Sequence, residues 1–484
     1  MNEKHGHGQD PAGPGGRASV PASRRRTGST LRQADGPRPG IAGVLREGPP
    51  AGPTRPGFWR SPLRGPWLTS ALGAVLLVGI PLMFVTGLLS YAAYNPDLGA
   101  NDKTPDRGWL GFYLFPWPTD PHWLYRLDQG VHVTLGIVLI PVLLAKLWSV
   151  IPRLFTWPPV KSAAHALERL SLLLLTGGVL FEFATGLLNI QLDYLFPGSF
   201  YTLHFYGAWV FIGAFVVHVA LRIPFMLRTL RSGELRSGVR GTRKRRTPGG
   251  ASPGGDAAGG STAVASDPTG LASPEPGAAT ISRRGALTMV GAGSLLLFAM
   301  TAGQSIGGAW RATALLAPRG QDPGPGPNGF QVNKTAAGVG IRARDVGPAW
   351  RLVVRGPERE RALTREQVLA LPQHTAALPI ACVEGWSTED QLWSGVRLRD
   401  LAALVGFDDR APGVFVQSAQ RSGSFRSTTL RDNQVRDARS LLALRVNGAD
   451  LSPDHGYPAR VIVPANPGVH NTKWVTTLTF GGDA

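Results

Sequence analysis

The chain has 484 residues, a formal net charge of +18 and only 17% charged residues, with Gly 62 and Pro 41. That balance excludes one soluble globule and points to apolar blocks joined by linkers. A lone cysteine, Cys382, excludes an internal disulfide framework, a Cys-ligated iron–sulfur cluster built by this chain alone and a C-x-x-C-H haem attachment.

Residues 1–58 are Gly, Pro, Arg and Ser with almost no apolar periodicity, so they read as a disordered basic cytoplasmic arm. No apolar run follows Met1 closely enough for a secretory signal. The basic excess lies in residues 1–65 (+7) and 227–284 (+6). Both stretches flank apolar blocks and interleave no stacking aromatics with their charges, so they indicate topology, and no nucleic acid is expected as a partner.

Five apolar segments follow, at about 67–93, 129–151, 170–190, 201–226 and 286–308. Each has roughly the 20 residues that a helix needs to cross ~30 Å of hydrocarbon. They divide the first part of the chain into a four-helix membrane domain (59–227), a basic and Gly/Pro/Ser-rich cytoplasmic linker (228–284) and a fifth transmembrane helix (285–309). Arg153, Lys161 and Arg169 place the 152–169 turn inside, as do the eight basic residues of 228–246, among them Arg243, Lys244, Arg245 and Arg246. Asp97, Asp102, Asp106, Asp120 and Asp128 place the 94–128 loop outside, and Asp193 does the same for the 191–200 turn. The expectation is a bacterial plasma-membrane protein with five spans, a cytoplasmic N-terminus and an extracytoplasmic C-terminal domain. Ser282-Arg283-Arg284 ahead of the fifth span resembles a twin-arginine export signal; a plain positive-inside anchor is the alternative. No internal repeat is evident among the spans, which disfavours a small transporter.

From 318 to 484 the pattern changes to short β-branched runs bounded by Gly, Pro or Asp. WRLVV (350–354), GVFVQS (413–418), ARVIVP (459–464) and KWVTTLTF (473–480) predict strands. Thr364 three residues before Gln367 is a capping box and predicts a helix over 363–372; RLRDLAALVGF (397–407) predicts a second. The fold class is therefore multi-domain: an α-helical membrane bundle of four helices plus a fifth anchoring helix, then a β-rich α+β domain.

Three histidines, His132, His204 and His218, lie within the spans. An ionisable ring in hydrocarbon usually has a task or a partner. His204 and His218 are 14 residues apart, which brings them within ~40° of one helix face and ~21 Å apart. His132 and His204 sit at similar depth near the outer ends of parallel helices. Interhelical hydrogen bonding is one reading; axial ligation of a b-type haem is the other, and three histidines so placed favour haem. Gly130, Gly136, Gly207 and Gly213 leave room for a flat macrocycle. The arrangement resembles four-helix membrane cytochromes b, such as those serving formate dehydrogenases and hydrogenases, and the haem subunit of the methionine sulfoxide reductase system. The resemblance implies one haem b on His132 and His204, and a second, involving His218, is left open because span one has no histidine and His165 looks too shallow. Lys146 is expected to snorkel to the inner surface. Glu182 is a candidate for proton or quinone chemistry, or a structural hydrogen-bonding group.

The segment Cys382-Val-Glu-Gly-Trp-Ser, with Trp393-Ser-Gly-Val-Arg-Leu after it, is similar to the molybdenum-binding core of the sulfite oxidase family. Val446-Asn447-Gly448, Asp454-His455-Gly456-Tyr457-Pro458-Ala459-Arg460 and Gly468 through Lys473-Trp474-Val475 continue the likeness, over nearly all of 348–480. It implies that Cys382 ligates molybdenum and that Arg460, Lys473 and His455 contact the pterin and its phosphate. Arg suits phosphate as a bidentate fork and Lys as a point charge. Where many relatives have a Tyr near the metal, this chain reads Ser424-Phe425-Arg426-Ser427-Thr428, which departs from sulfite oxidation of the usual kind. Arg421 and Arg426 are candidate catalytic anion binders. The dimerisation domain of sulfite oxidases is not expected here.

Together these readings imply a membrane-bound molybdopterin-dependent oxidoreductase, similar to the methionine sulfoxide reductase haem and molybdopterin system but fused in one chain. Its electrons would pass between the quinone pool, haem b and an extracytoplasmic molybdenum centre. The substrate would be a small-molecule or protein-bound S- or N-oxide, or a reductant like sulfite. The rival is a membrane-anchored, non-catalytic binding protein with a metal-free domain of the same fold.

Overall fold

The computed structural model of the chain describes residues 48–102, 112–190, 200–231, 270–317, 324–408, 410–423 and 425–481. Most of the basic arm, Asp106, Asp193, the basic run 232–246 and Ser424 therefore lie outside the described residues. The part of the arm that is described, 48–58, is not featureless. Thr54 Oγ1 donates to Pro50 O at 2.7 Å, Trp59 Nε1 donates to Pro53 O at 2.8 Å, and Pro56–Phe58 is a short 3-10 turn. Trp59 anchors it by packing on Phe155.

Four long helices come first: α1 (Pro66–Ala93), α2 (Leu124–Leu154), α3 (Ala163–Asn189) and α4 (Phe200–Arg231). A fifth, α5 (Arg283–Ala299), continues after a break into a short helix, Gly303–Ile306. All five are long and apolar enough to cross a membrane. Their ends follow local chemistry. Pro66 opens α1, where its missing N–H costs nothing. Asn95 ends it at φ 50, a left-handed conformation Asn tolerates, and Pro96 bars continuation. Ser162 Oγ caps α3 by accepting from the His165 N–H at 3.2 Å. Ser282 Oγ likewise caps α5, accepting from Gly285 N–H at 2.9 Å, so the serine of the Ser-Arg-Arg motif starts the helix.

α1 packs along α2 and α3 along α4, while α5 packs on the outside of α2. Leu68, Leu72, Leu76, Ile80, Leu139, Leu143, Val179 and Phe211 form the shared apolar core. Lys146 finds a backbone partner near the inner end of the bundle. Its Nζ donates to Thr69 O at 2.5 Å, in the first turn of α1, with Gly73 beside it.

The C-terminal domain has two five-stranded sheets. One runs β2 (Glu360–Leu363), β1 (Leu352–Arg355), β10 (Val475–Phe480), β5 (Val414–Ser418), β6 (Ser427–Leu430), with β1 and β10 parallel. The other runs β3 (His374–Leu378), β4 (Gln391–Arg397), β7 (Leu441–Val446), β8 (Ala449–Asp450), and β9 (Arg460–Ile462) also pairs with β7. Each strand predicted from sequence is present, with ends within two residues of those predicted. The capping box forms as the sequence requires, with Thr364 and Gln367 bonding reciprocally at the start of α6 (Arg365–Ala370); α7 (Leu398–Ala403) follows β4 directly. Leu352, Val354, Leu401, Val416, Leu444, Val461 and Leu478 are buried together between the layers. Gly395 sits at the irregular register of β4, where a Cβ would strike the β7 backbone.

Residues from Pro49 onward form one compact unit. The C-terminal domain docks on the loop between α1 and α2. Asn101, 1% exposed, donates to Thr429 O at 2.7 Å and accepts from Thr428 Oγ1 and Thr429 N at 2.8 and 3.0 Å. Trp117 Nε1 donates to Ala465 O at 2.7 Å. Asp97 pairs with Arg431, and Asp120 with Arg439 at 2.8 Å. Two of the aspartates that mark the loop's side in the sequence are thus also docking contacts.

Candidate functional site

Cys382 lies on the connection between β3 and β4, 4% exposed. Its N–H donates to Trp386 O at 2.8 Å and its carbonyl accepts from Gly385 N–H at 3.0 Å, which makes a tight turn. Gly468 N–H donates to Ala381 O at 2.7 Å, clamping this turn to the segment that leads to Lys473. Cys382, the His455–Arg460 run and Lys473 come from three separate stretches, and the fold brings Lys473 within electrostatic reach of both Arg460 and Cys382.

Arg460 is 1% exposed and Lys473 9%. Arg460 donates to His455 O at 3.2 Å and Asn471 O at 3.0 Å, lies over the Trp393 ring and leaves its buried Nε unpartnered. Lys473 Nζ donates to Lys334 O at 2.8 Å and Asp454 O at 2.7 Å. Among the described residues neither cation pairs with a carboxylate. Burial pushes the Arg460 guanidinium down to about 9, and burial with Arg460 nearby pushes the Lys473 ammonium well below its ordinary value. Burying a charge costs several kcal/mol when no counter-charge is supplied. Two such cations beside one buried thiol therefore fit an anionic, phosphate-bearing group with a metal that takes a thiolate.

His455 is placed differently from Arg460 and Lys473. Its ring stacks on Phe330 with centroids 3.8 Å apart, and Nε2 bonds to Asn328 O at 2.9 Å. Burial, with Arg460 and Lys473 adding to it, pushes its pKa down to about 4. Arg421 is exposed and gives its guanidinium to Asp345 at 2.8 Å; Arg426 is exposed just before β6. Phe425 sits at φ 60, its ring 6.1 Å from His470 and 6.3 Å from Tyr94.

Tyr94, from the end of α1, is a residue that sequence reasoning missed. It is 5% exposed, and its ring lies 5.4 Å from His470. Burial raises its phenol well above the ordinary value, with Tyr125, Tyr201 and Cys382 adding to the effect. His470 was missed too; it is fully buried, with Nδ1 2.7 Å from Thr428 Oγ1. A contact between the first helix and the cysteine turn leaves no trace in local sequence pattern.

The turn also meets α2. Gln129 Nε2 donates to Val383 O at 2.5 Å, Ser305 Oγ donates to Gly385 O, and Gly385 rests on Val133. Ala381 packs with Ala92, Ala93, Trp117 and Tyr125.

One residue from Val133, His132 faces His204 with ring centroids 6.3 Å apart and planes at 86°. His132 Nδ1 lies 3.0 Å from Thr86 Oγ1 and 3.1 Å from Met83 O. His204 Nδ1 lies 3.0 Å from Thr185 Oγ1 and 3.2 Å from Glu182 Oε2. Among the described residues neither Nε2 has a hydrogen-bond partner. A metal held between two imidazoles lies about 2 Å from each nitrogen, which sets ring centres roughly 6 Å apart. The pair fits such a group.

These contacts correct one expectation, the glycines that stand against the rings. Thr86-Gly87-Leu88-Leu89 on α1 and Thr185-Gly186-Leu187-Leu188 on α3 play the same part for His132 and His204. The glycines against the rings are Gly87 and Gly186, where a Cβ would come 3.2 and 3.4 Å from Cε1 of each histidine. Gly130 instead admits Ser305, Gly136 faces Met83, Gly207 admits Glu182 and Phe181, and Gly213 faces open space. His218 lines a different cavity of about 1530 Å³ in the other half of the bundle, together with His165, Lys146, Glu168 and Arg222.

Residues 340–483 match the family model described as oxidoreductase molybdopterin binding domain. The chain is 33% identical over 132 residues to the uncharacterized oxidoreductase YuiH of Bacillus subtilis (strain 168), covering 27% of this chain and 65% of that protein. It is 29% identical over 152 residues to the mitochondrial sulfite oxidase of Drosophila melanogaster, covering 27% of this chain and 26% of that protein. To the NADH nitrate reductase of Volvox carteri it is 28% identical over 145 residues, covering 24% of this chain and 17% of that protein. The chain thus spans less than two thirds of each of these relatives, and the matched part is its C-terminal third. That part, with its buried thiol and paired cations, is an oxidoreductase molybdopterin-binding domain of the sulfite oxidase type.

Proposed function

We propose that the chain is a membrane-bound oxidoreductase that links the quinone pool, through one haem b, to an extracytoplasmic molybdenum centre. The observation that carries this reading is the seat of the Cys382–Gly385 turn on Val133, beside His132. It sets a thiol fit for molybdenum and an imidazole pair fit for haem on the two sides of one contact.

Molybdenum supplies two-electron oxygen-atom chemistry, and haem supplies one-electron steps. In this reading the residues do the rest. Cys382 ties the metal to the fold, and Arg460 and Lys473 neutralise the pterin phosphate. Thr86 and Thr185 fix the ring orientation of His132 and His204, as outer partners of metal-bound histidines do. The substrate is an S- or N-oxide, or a reductant like sulfite. The five helices lie in the bacterial plasma membrane with the N-terminus inside.

The test is molybdenum and iron per chain on detergent-purified full-length protein. One of each is expected. Iron near two would assign a second haem to the cavity at His218. Iron without molybdenum, from a host able to make the cofactor, would leave a membrane-anchored binding protein, and Cys382→Ser would then leave ligand affinity unchanged.

A further inference from the structure

A crevice of about 980 Å³ lies between α2 and α5 at the end of the bundle nearer the C-terminal domain, open on one side. Leu127, Val131, Leu135 and Val138 line one wall and Phe298 the other. From Leu127 to Val138 the wall rises ~16 Å along the helix. The end toward the domain is polar: His122 Nε2 lies 3.2 Å from Asp390 Oδ2 there, and both side chains are partly exposed. Beside them Arg126 donates from Nε to Ser305 O at 2.9 Å and from NH2 to Ile306 O at 2.5 Å, tying α2 to the chain that follows α5.

Three features restrict the occupant. The apolar wall requires a long apolar tail. The His122–Asp390 pair at the mouth suits a head group that hydrogen-bonds and exchanges protons. Val131 and Leu135, which line the crevice, stand directly before and three residues after His132 on the same helix. An occupant is therefore about one helix width, ~10 Å, from the paired imidazoles. A phospholipid satisfies the first feature and would sit equally near the imidazoles, but its head group does not exchange protons together with electrons.

We propose that this crevice is the site at which an isoprenoid quinone or quinol exchanges electrons with the chain. The proposal rests on the haem reading above and gives its quinone partner a place. Reduction of the head group takes up two electrons and two protons, and its oxidation releases the same. His122, hydrogen-bonded to Asp390, carries one proton between head and mouth; the other exchanges with water at the open side. The electrons move singly, to or from the one-electron carrier assigned to His132 and His204. The fifth helix then has a purpose beyond anchoring, since it forms the second wall.

The experiment is photolabelling of the full-length chain in phosphatidylcholine nanodiscs with an azido-benzoquinone bearing a short isoprenoid tail, followed by peptide mapping. Label is expected on peptides within 122–138 and 298–306, suppressed about tenfold by excess unlabelled quinone and about tenfold weaker in both Leu135→Trp, which fills the crevice, and His122→Asn, which leaves it open. Label elsewhere, or label undiminished in both variants, overturns the site. Suppression by added anionic phospholipid as strong as by quinone overturns it as well and makes the crevice a lipid seat. A visible spectrum of each sample separates the two claims. Misplaced label with a b-type spectrum intact sinks the crevice alone; correct label without that spectrum supports the crevice and sinks the haem.

Discussion

Gly385 lies so close to Val133 that a Cβ on the glycine would come 2.7 Å from the valine Cβ. Its φ of 90 is also one that side chains resist. The cysteine turn reaches α2 because residue 385 has no side chain. Gly385→Ala should cost about 1–3 kcal/mol in local strain and lift the turn from the helix. The expected result is an unchanged haem spectrum with slower electron exchange between haem and molybdenum, measured by flash reduction. An unchanged rate would mean that electrons do not cross at this contact.

The paired imidazoles make a second prediction. His132→Ala or His204→Ala should abolish the bis-imidazole spectrum. Thr86→Val and Thr185→Val each remove one partner of Nδ1, and loss of such a partner typically weakens metal retention 10–100-fold, to within about an order of magnitude. Haem retained during dilution measures the effect. Glu182 bonds His204 alone, with Met83 in its place at the other ring. Glu182→Gln should therefore shift the haem midpoint potential, while Met83→Leu should not.

Arg460 supplies two bonds in different directions, to His455 O and Asn471 O. Lysine has no such fork. Arg460→Lys and Lys473→Met should both lower molybdenum per chain, with iron per chain unchanged. Full molybdenum in either variant would remove that residue from the cofactor's grip.

His455 gives the pH prediction. Its pKa is about 4 when folded, against 6.5 ordinarily, so between those values the unfolded chain binds more protons. Stability from this group is fully present above pH 6.5 and is lost as pH falls toward 4. The shift corresponds to an upper value on the order of 3 kcal/mol. Melting of the full-length protein across pH 4–6.5 should fall less steeply in His455→Gln, which keeps a donor for Asn328 O. Identical slopes would deny the histidine this role.

Sequence pattern carried the strands, the Thr364 box and the five apolar helices, because each rests on residues within one or two turns of each other. The likeness to the sulfite oxidase family singled out Cys382, Arg460 and Lys473 as candidates, because their flanking motifs are local. Tyr94, Gln129 and His470 were not legible. Their roles depend on a domain seated on a helix end, and nothing near Tyr94 in sequence announces residue 382. The Thr-Gly-Leu-Leu repeat was legible in principle at 86–89 and 185–188. It escaped because four shared residues carry little weight until both threonines are seen against histidines.

The seat of the C-terminal domain on the 94–123 loop has one more consequence. One of its contacts is Asn101 reading the backbone and hydroxyl of Thr428 and Thr429, more than 320 residues away in the chain. The ion pairs around it, partly exposed, add at most about 1 kcal/mol each. This is recognition of the kind that two separate molecules use, polar and addressed to a few atoms. The covalent connection between α4 and α5 adds nearness, as a tether raises effective concentration. The helical and molybdopterin halves, made as two polypeptides, are therefore expected to associate through this seat.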